Sequence, residues 1–477
     1  MHELEKTASD KLLHVLSNID GVQSVTIAGS LVDSGDLSSP SDIDTIVVCS
    51  KLTKRVFDQC VRAVESLTGA DLGFHGRSVF VNSTLGPLKR DNSRVIVVHL
   101  MMYDLARHRE HVLKSPFTCY DWERSPVHIG ATLAGLYPVM MLQPRDFLQA
   151  RRGLEDYLDD IRRGCISYRR YEFDSGAPRE VVERKPLDTR RQGEYAFHIV
   201  KNLVANYLKL ILRANRLLSY EEFVRSWSAL LPACAEFIPF YETLKAVKQN
   251  GTGEYPPGTI ARVKEFIAIF EDNFQRTWGN APRLYFMRHA VTPLNDGSFL
   301  GQARDPGISD NAVVMRLDAR VDKVYCSPLK RCVETARKLA PGIPVIEDRR
   351  LMEIDYGRAE GLSGEQMKQQ HPRIVNGWQR GEDPCFPGGE NTAMVLERLQ
   401  SFLGDRRMEK GASLCVTHNV VLRCLMGLLF DIPMRDWYRL SIPHQELLEV
   451  INLDGRFHPN ITANIKAALT DSLVKQG

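Results

Sequence analysis

The spacing of apolar positions changes character along this chain. Leu4, Leu12, Leu13, Leu16 and Ile19 recur at helical intervals and predict a helix over residues 4–19, stopped by Gly21. Val25-Thr26-Ile27-Ala28 reads as a short strand that ends at Gly29-Ser30. A polar loop from Asp33 to Ser41, containing Gly35 and Pro40, leads into a strand over Ile43–Cys49. A helix near 52–67 and strands near 78–82 and 94–102 follow. This β-loop-β pattern with flanking helices predicts a small α/β domain over residues 1–112.

Helical periodicity then dominates, at 148–161, 193–212, 220–231 and 258–274, with breaks at Gly176-Ala177-Pro178 and near 254–258. A helical domain over residues 113–280 is expected. The longest apolar stretch, Gly130–Leu142, is too short to span a membrane and contains Pro138, so it reads as a buried helix. From residue 281 to 477, short apolar strands alternate with helices, which predicts a parallel or largely parallel sheet. The fold class is α/β multidomain.

Composition narrows the function classes. At 477 residues, two or three domains are expected. The 43% hydrophobic and 25% charged content is ordinary for a soluble globular protein, and membrane association is not expected. A net charge of +3 argues against a nucleic-acid partner. Arg151-Arg152, Arg162-Arg163, Arg169-Arg170 and Arg190-Arg191 read as solvated helix faces. The ten cysteines are scattered, without CxxC or zinc spacing, so reduced thiols in a cytoplasmic setting are expected. The charged amphipathic start, MHELEKTASDKLL, does not read as a signal peptide.

The candidate chemistry lies at strand ends. Arg288-His289 follows the apolar run Leu284–Met287, Ser327-Pro328 and Arg331 follow Val324–Cys326, and Thr417-His418 follows Leu414–Val416. Ligands of open α/β sheets bind at such carboxyl edges, so these ends are expected to converge. Two guanidiniums can fork a phosphate dianion, and an imidazole can attack its phosphorus. A second imidazole can donate to the oxygens that carry transition-state charge. A carboxylic acid can protonate the leaving alcohol and then activate water. That chemistry requires no cofactor.

These segments resemble the histidine phosphatase, or phosphoglycerate-mutase-like, superfamily. Its RHGxTxxN signature matches residues 288–295 and its SPLxRxxxTA motif matches Ser327 to Ala336. Leu351, Glu353, Gly357, Glu360 and Gly361 match LxExxxGxxEG, and PGGE occurs at Pro387–Glu390. The resemblance implies a three-layer α/β/α domain, with His289 as nucleophile, Arg288, Arg331 and His418 as phosphate ligands, and Glu353 as proton donor. Ala290 and Asn419 stand where the family usually has glycine, which narrows backbone freedom near the phosphate. The domain is short for a mutase, which favours hydrolysis.

Near the other end, Gly29-Ser30, eleven residues, then Asp42-Ile43-Asp44 resembles the nucleotidyltransferase superfamily that includes DNA polymerase β. Asp42 and Asp44, two apart on a strand, project from one face and can hold Mg²⁺ against triphosphate oxygens. Backbone N–H groups at Gly29-Ser30 can cradle a phosphate. A third acid is missing from the strand over 94–102; His99 is its interior polar residue, and Asp104 follows. A lone strand histidine reads first as a satisfied core residue; in the place of the third acid, His99 as a neutral imidazole could take the acceptor's proton. His108 and His111 read as exposed helix, and Tyr195, His198, Lys201 and Tyr207 as packing and surface residues.

Together these readings predict a bifunctional enzyme. The N-terminal part would transfer a nucleotidyl group from a nucleoside triphosphate to a small acceptor. The C-terminal part would hydrolyse a small phosphorylated metabolite of the same route. The competing reading is a phosphatase regulated by a non-catalytic nucleotide-binding domain.

Overall fold

The computed structural model describes residues 3–33, 42–86, 95–250, 254–315, 317, 319–442, 444 and 446–474. Beyond Asp33, the polar loop predicted up to Ser41 lies outside them. The chain divides into two compact units, Met1–Asn273 and Phe274–Gly477. The predicted boundary at 112/113 falls inside the first.

In the first unit, β1 (Val22–Ala28), β2 (Asp42–Cys49), β3 (Ser78–Asn82), β4 (Val95–Asp104) and β5 (His128–Gly130) form one sheet in the order β3-β4-β2-β1-β5. β1 runs antiparallel to β2 and β5, while β2 and β3 run parallel to β4. β-branched residues suit these strands, and Ile43, Thr45, Ile46, Val47 and Val48 of β2 are all buried. The helix Lys54–Glu65 starts where the Thr53 hydroxyl accepts the Val56 N–H at 3.3 Å.

Three expectations need correction here. The region after residue 112 is not all helical: β6 (Cys165–Asp174) and β7 (Ala177–Pro186), ten residues each, form an antiparallel hairpin in a region that also holds the helices Leu154–Arg163, Thr189–Leu212, Tyr220–Leu230 and Thr259–Phe274. Ser175 and Gly176 both have positive φ, 48° and 83°, the backbone of a tight two-residue hairpin turn. Gly130–Leu142 is not a buried helix: it holds the end of β5, a four-residue helix at Leu133–Leu136 and irregular backbone before Pro144. His108 and His111 are not exposed, at 1% and 5% accessibility. His111 stacks between Tyr103 and Trp122, at 4.9 and 5.2 Å between centroids, so residues from two other elements bury this helix face.

In the second unit, β8 (Arg283–Arg288), β9 (Lys323–Cys326), β10 (Val345–Glu347), β11 (Ala412–Thr417), β12 (Leu448–Leu453) and β13 (Arg456–Pro459) form one sheet in the order β10-β9-β11-β8-β12-β13. The first four in that order are parallel; β12 and β13 add an antiparallel edge. Alternate residues face opposite layers. Met287, Val324, Cys326, Leu414 and Val416 pack with Cys332, Ala336 and Leu339 of the helix Lys330–Leu339. On the other face, Phe286 and Tyr325 meet Phe402 of the helix Thr392–Gly404. Helices thus cover both faces of a largely parallel sheet.

Candidate active site

Parallel pairing brings three strand ends together. The Thr417 carbonyl accepts the His289 N–H at 3.0 Å, and the Val416 carbonyl accepts the Ser327 N–H at 3.0 Å. The next residue after each strand, or one turn further on, carries the candidate chemistry. His289, Arg331, Glu353 and His418 are buried at 3%, 0%, 5% and 0% accessibility. The rings of His289 and His418 lie 5.2 Å apart between centroids. The structure therefore gathers the residues that the motifs singled out.

Each group has a defined electrical state. His289 Nδ1 lies 2.7 Å from the Ala290 carbonyl oxygen, which can only accept. Nδ1 therefore carries the hydrogen, and Nε2 keeps its lone pair. Burial, with Arg331, Arg288 and His444 nearby, pulls the His289 pKa down to about 3. His418 is also held well below the ordinary histidine value, by burial first and then by Arg331. Its Nε2 lies 2.8 Å from the Ser327 hydroxyl and 3.3 Å from the Cys332 sulfur. Burial raises the Glu353 pKa against two backbone N–H groups, of Ile354 and Val420, that bind its Oε1 at 3.0 and 3.2 Å.

Arg331 is oriented by carbonyls. It donates to Gly301 at 2.8 Å and Arg304 at 3.4 Å, with the Asp305 carboxylate also at 3.4 Å. Its Nε, and that of Arg288, are buried without a partner among the described residues. Such orphaned donors suit an oxyanion. Thr292 and Asn295 shape the loop after His289, since Asn295 Oδ1 accepts the Thr292 N–H at 2.6 Å. Ala290 and Asn419 are absent from the residues with positive φ, so neither side chain strains the backbone where the family usually has glycine.

Sequence reasoning missed His444. Its ring stands edge-on to His289 at 6.2 Å, with Nδ1 3.4 Å from the His289 carbonyl. It follows no strand and belongs to none of the motifs.

The N-terminal residues also assemble in part. β2 places Asp44 opposite Ala28 of β1 and His99 of β4. Gly29 has φ +76°, and a Cβ there would overlap the Asp44 carboxylate. Only glycine lets the backbone and that carboxylate approach so closely. His99 Nδ1 meets Asp44 Oδ1 at 3.0 Å and Nε2 meets the Thr84 carbonyl at 2.7 Å. Burial disfavours its charged form, but the hydrogen bond and charge of Asp44 outweigh that and raise its pKa.

These contacts agree with a satisfied His99 and not with a free neutral base: both nitrogens face acceptors. Asp104 does not supply the third acid either. It caps the helix Leu105–Lys114, accepting the Arg107 N–H at 2.9 Å. It also lies five residues past His99, about 17 Å along an extended strand.

Among the described residues no group of three or more His, Cys, Asp or Glu could hold a metal. Asp42 and Asp44 stand two apart on β2, and magnesium characteristically takes one or two carboxylates plus substrate phosphates. The remaining thiols are free, and nine of the ten are buried. No described helix is long and apolar enough to cross a membrane.

Residues 284–460 match the family model of the histidine phosphatase superfamily (branch 1), and this part of the chain is a domain of that superfamily. Phosphoserine phosphatase 1 of Hydrogenobacter thermophilus is 26% identical over 207 residues, 40% of this chain and 97% of the relative. The 6-phosphofructo-2-kinase/fructose-2,6-bisphosphatase of Caenorhabditis elegans is 30% identical over 132 residues, 27% of this chain and 28% of the relative. Among solved structures, a mycobacterial glucosyl-3-phosphoglycerate phosphatase aligns at 22% identity and TM-score 0.33, covering 38% of this chain and 98% of its own. The family match and the phosphoserine phosphatase relative support phosphatase activity of the histidine phosphatase type for residues 284–460.

Proposed function

We propose that the C-terminal unit hydrolyses a small phosphorylated metabolite through a phosphohistidine on His289. The observation that carries this reading is the His289 Nδ1 bond to the Ala290 carbonyl, which leaves an uncharged Nε2 beside two arginines. Nε2 forms an N–P bond as the ester P–O bond breaks. Glu353, whose pKa burial raises, gives its proton to the departing alkoxide. Water then attacks phosphorus and returns a proton to Glu353 as the N–P bond breaks and phosphate leaves. Arg288, Arg331 and His418 hold the phosphoryl oxygens throughout. Phosphoserine and fructose 2,6-bisphosphate, the substrates in the names of two relatives, are the first compounds to try.

The test is to quench the enzyme with labelled substrate in alkali, where phosphohistidine survives. Label on wild-type protein but not on His289→Ala supports the reading. Near-normal hydrolysis by His289→Ala sinks it.

A second activity is favoured by the fit of Asp44 against Gly29. In this reading the N-terminal unit transfers a nucleoside monophosphate from a triphosphate to a small acceptor, releasing pyrophosphate. Asp42 and Asp44 would hold Mg²⁺, which would neutralise triphosphate charge. Incubation with each of four nucleoside triphosphates, Mg²⁺ and a metabolite pool should release pyrophosphate. EDTA should stop that release and spare the phosphatase. Nucleotide binding that alters phosphatase rate without pyrophosphate would favour a regulatory N-terminal unit.

A further inference from the structure

Both histidines of the C-terminal site depend on a hydroxyl from the same short segment, residues 327–335. Thr335 lies in the helix Lys330–Leu339 at 1% accessibility. Its Oγ1 donates to the Arg331 carbonyl at 2.6 Å and accepts the Ala290 N–H at 3.0 Å. The carbonyl can only accept and the N–H can only donate, so the direction of this hydroxyl is unambiguous. Thr335 thus anchors residue 290, whose carbonyl takes the His289 Nδ1 hydrogen at 2.7 Å.

Ser327 is fully buried. Its Oγ accepts the Leu329 N–H at 3.3 Å, so its own hydrogen needs another acceptor. His418 Nε2, at 2.8 Å, is the stronger acceptor in its reach, and the Cys332 sulfur is a weak one. If Nε2 takes that hydrogen, an uncharged His418 ring carries its own on Nδ1.

We propose that Ser327 and Thr335 are positioning residues that hold both imidazoles in the same Nδ1–H tautomer while tying down opposite nitrogens. His289 has its N–H tied to backbone and its Nε2 lone pair left for phosphorus. His418 has its lone pair tied to Ser327 and its Nδ1–H left for a phosphoryl oxygen. One segment therefore makes one ring a nucleophile and the other a donor. An imidazole chooses its tautomer by the bond its other nitrogen makes, so His418 loses its choice with the Ser327 hydroxyl, and His289 loses it as residue 290 shifts without the Thr335 anchor. The assignment rests on the phosphatase reading for its catalytic meaning, but not for the tautomers themselves.

The test reads tautomers directly, by long-range proton–nitrogen correlation on protein labelled with ¹⁵N-histidine and free of substrate. His289→Gln and His418→Gln assign the signals. Wild type should show Nδ1–H at both rings. Thr335→Val should mix the tautomers of His289 alone, and Ser327→Ala those of His418 alone. Phosphoenzyme formation should fall about tenfold to a hundredfold in each, the range expected for one lost buried hydrogen bond, with KM nearly unchanged. Thr335→Ser and Ser327→Thr should restore both readouts.

If the two rings keep a single Nδ1–H tautomer in Thr335→Val and Ser327→Ala, the proposal is overturned whatever the rates do. Should Thr335→Val fail to fold, Thr335→Cys replaces it and must show partial mixing. A wild type that hydrolyses no phosphomonoester would defeat the phosphatase reading and leave the tautomer result standing.

Discussion

His289 should remain uncharged far into acid. Its pKa is pulled to about 3 by burial and by nearby guanidiniums, from an ordinary 6.5. At pH 5 an ordinary histidine would be ~97% protonated, whereas His289 would be ~1% protonated. The perturbation is simply lowering pH from 8 to 5. For the free enzyme, kcat/KM on an aryl phosphate, corrected for the substrate's own ionisation, should lose almost nothing to this group. An ordinary histidine nucleophile would lose about 30-fold. The same shift predicts a stability change. The folded pKa is depressed, so the unfolded chain binds the proton first as pH falls. Stability is fully present above pH 6.5 and is lost progressively as pH falls through the folded value of about 3. Between pH 8 and 5 the loss from His289 alone is about 2 kcal/mol. ¹⁵N resonances of the ring, assigned with His289→Gln, follow the protonation directly. A titration midpoint near 6.5 in the free enzyme would refute the buried, guanidinium-flanked environment on which the proposed nucleophile rests.

Glu353→Gln should slow alkyl esters by ~10²–10⁴ and aryl esters far less, because only a poor leaving group needs the acid; equal losses in the two kinetic series would assign Glu353 another part. In the first unit, Asp160 is 2% accessible and accepts from the Tyr195 hydroxyl at 2.6 Å and Arg152 at 3.3 Å. Asp160→Ala leaves that guanidinium and hydroxyl without the carboxylate, so urea unfolding should show a loss of about 3–5 kcal/mol; a loss under 1 kcal/mol would mean the network is solvated. Gly29→Ala should abolish any pyrophosphate release while leaving phosphatase activity intact, since a Cβ at φ +76° displaces Asp44; retained release would separate Asp44 from the chemistry.

The parts of this chain that could be read early are those in which local pattern and site coincide. β8, β9 and β11 are short apolar runs ending in polar, chemically capable residues, and parallel pairing makes those ends neighbours. What stayed hidden depends on partners supplied from elsewhere. His108 and His111 lie three apart on a helix and look solvated until Tyr103 packs beside both and Trp122 stacks on His111. The hairpin β6–β7 carries many charged residues, and its turn at Ser175-Gly176 also resembles a break between helices.

His444 shows why topology, more than spacing, builds the last part of the site. β12 runs antiparallel to β8, with Leu448 opposite Phe286 near the carboxyl end of β8. The segment entering β12 therefore arrives where β8 delivers His289, and His444 comes with it. An edge strand added in the parallel sense would enter the sheet at the opposite end and place that histidine across the domain. The antiparallel edge is thus what allows a third imidazole, itself held below its usual pKa by burial and by Arg288, to stand against the carbonyl of the proposed nucleophile.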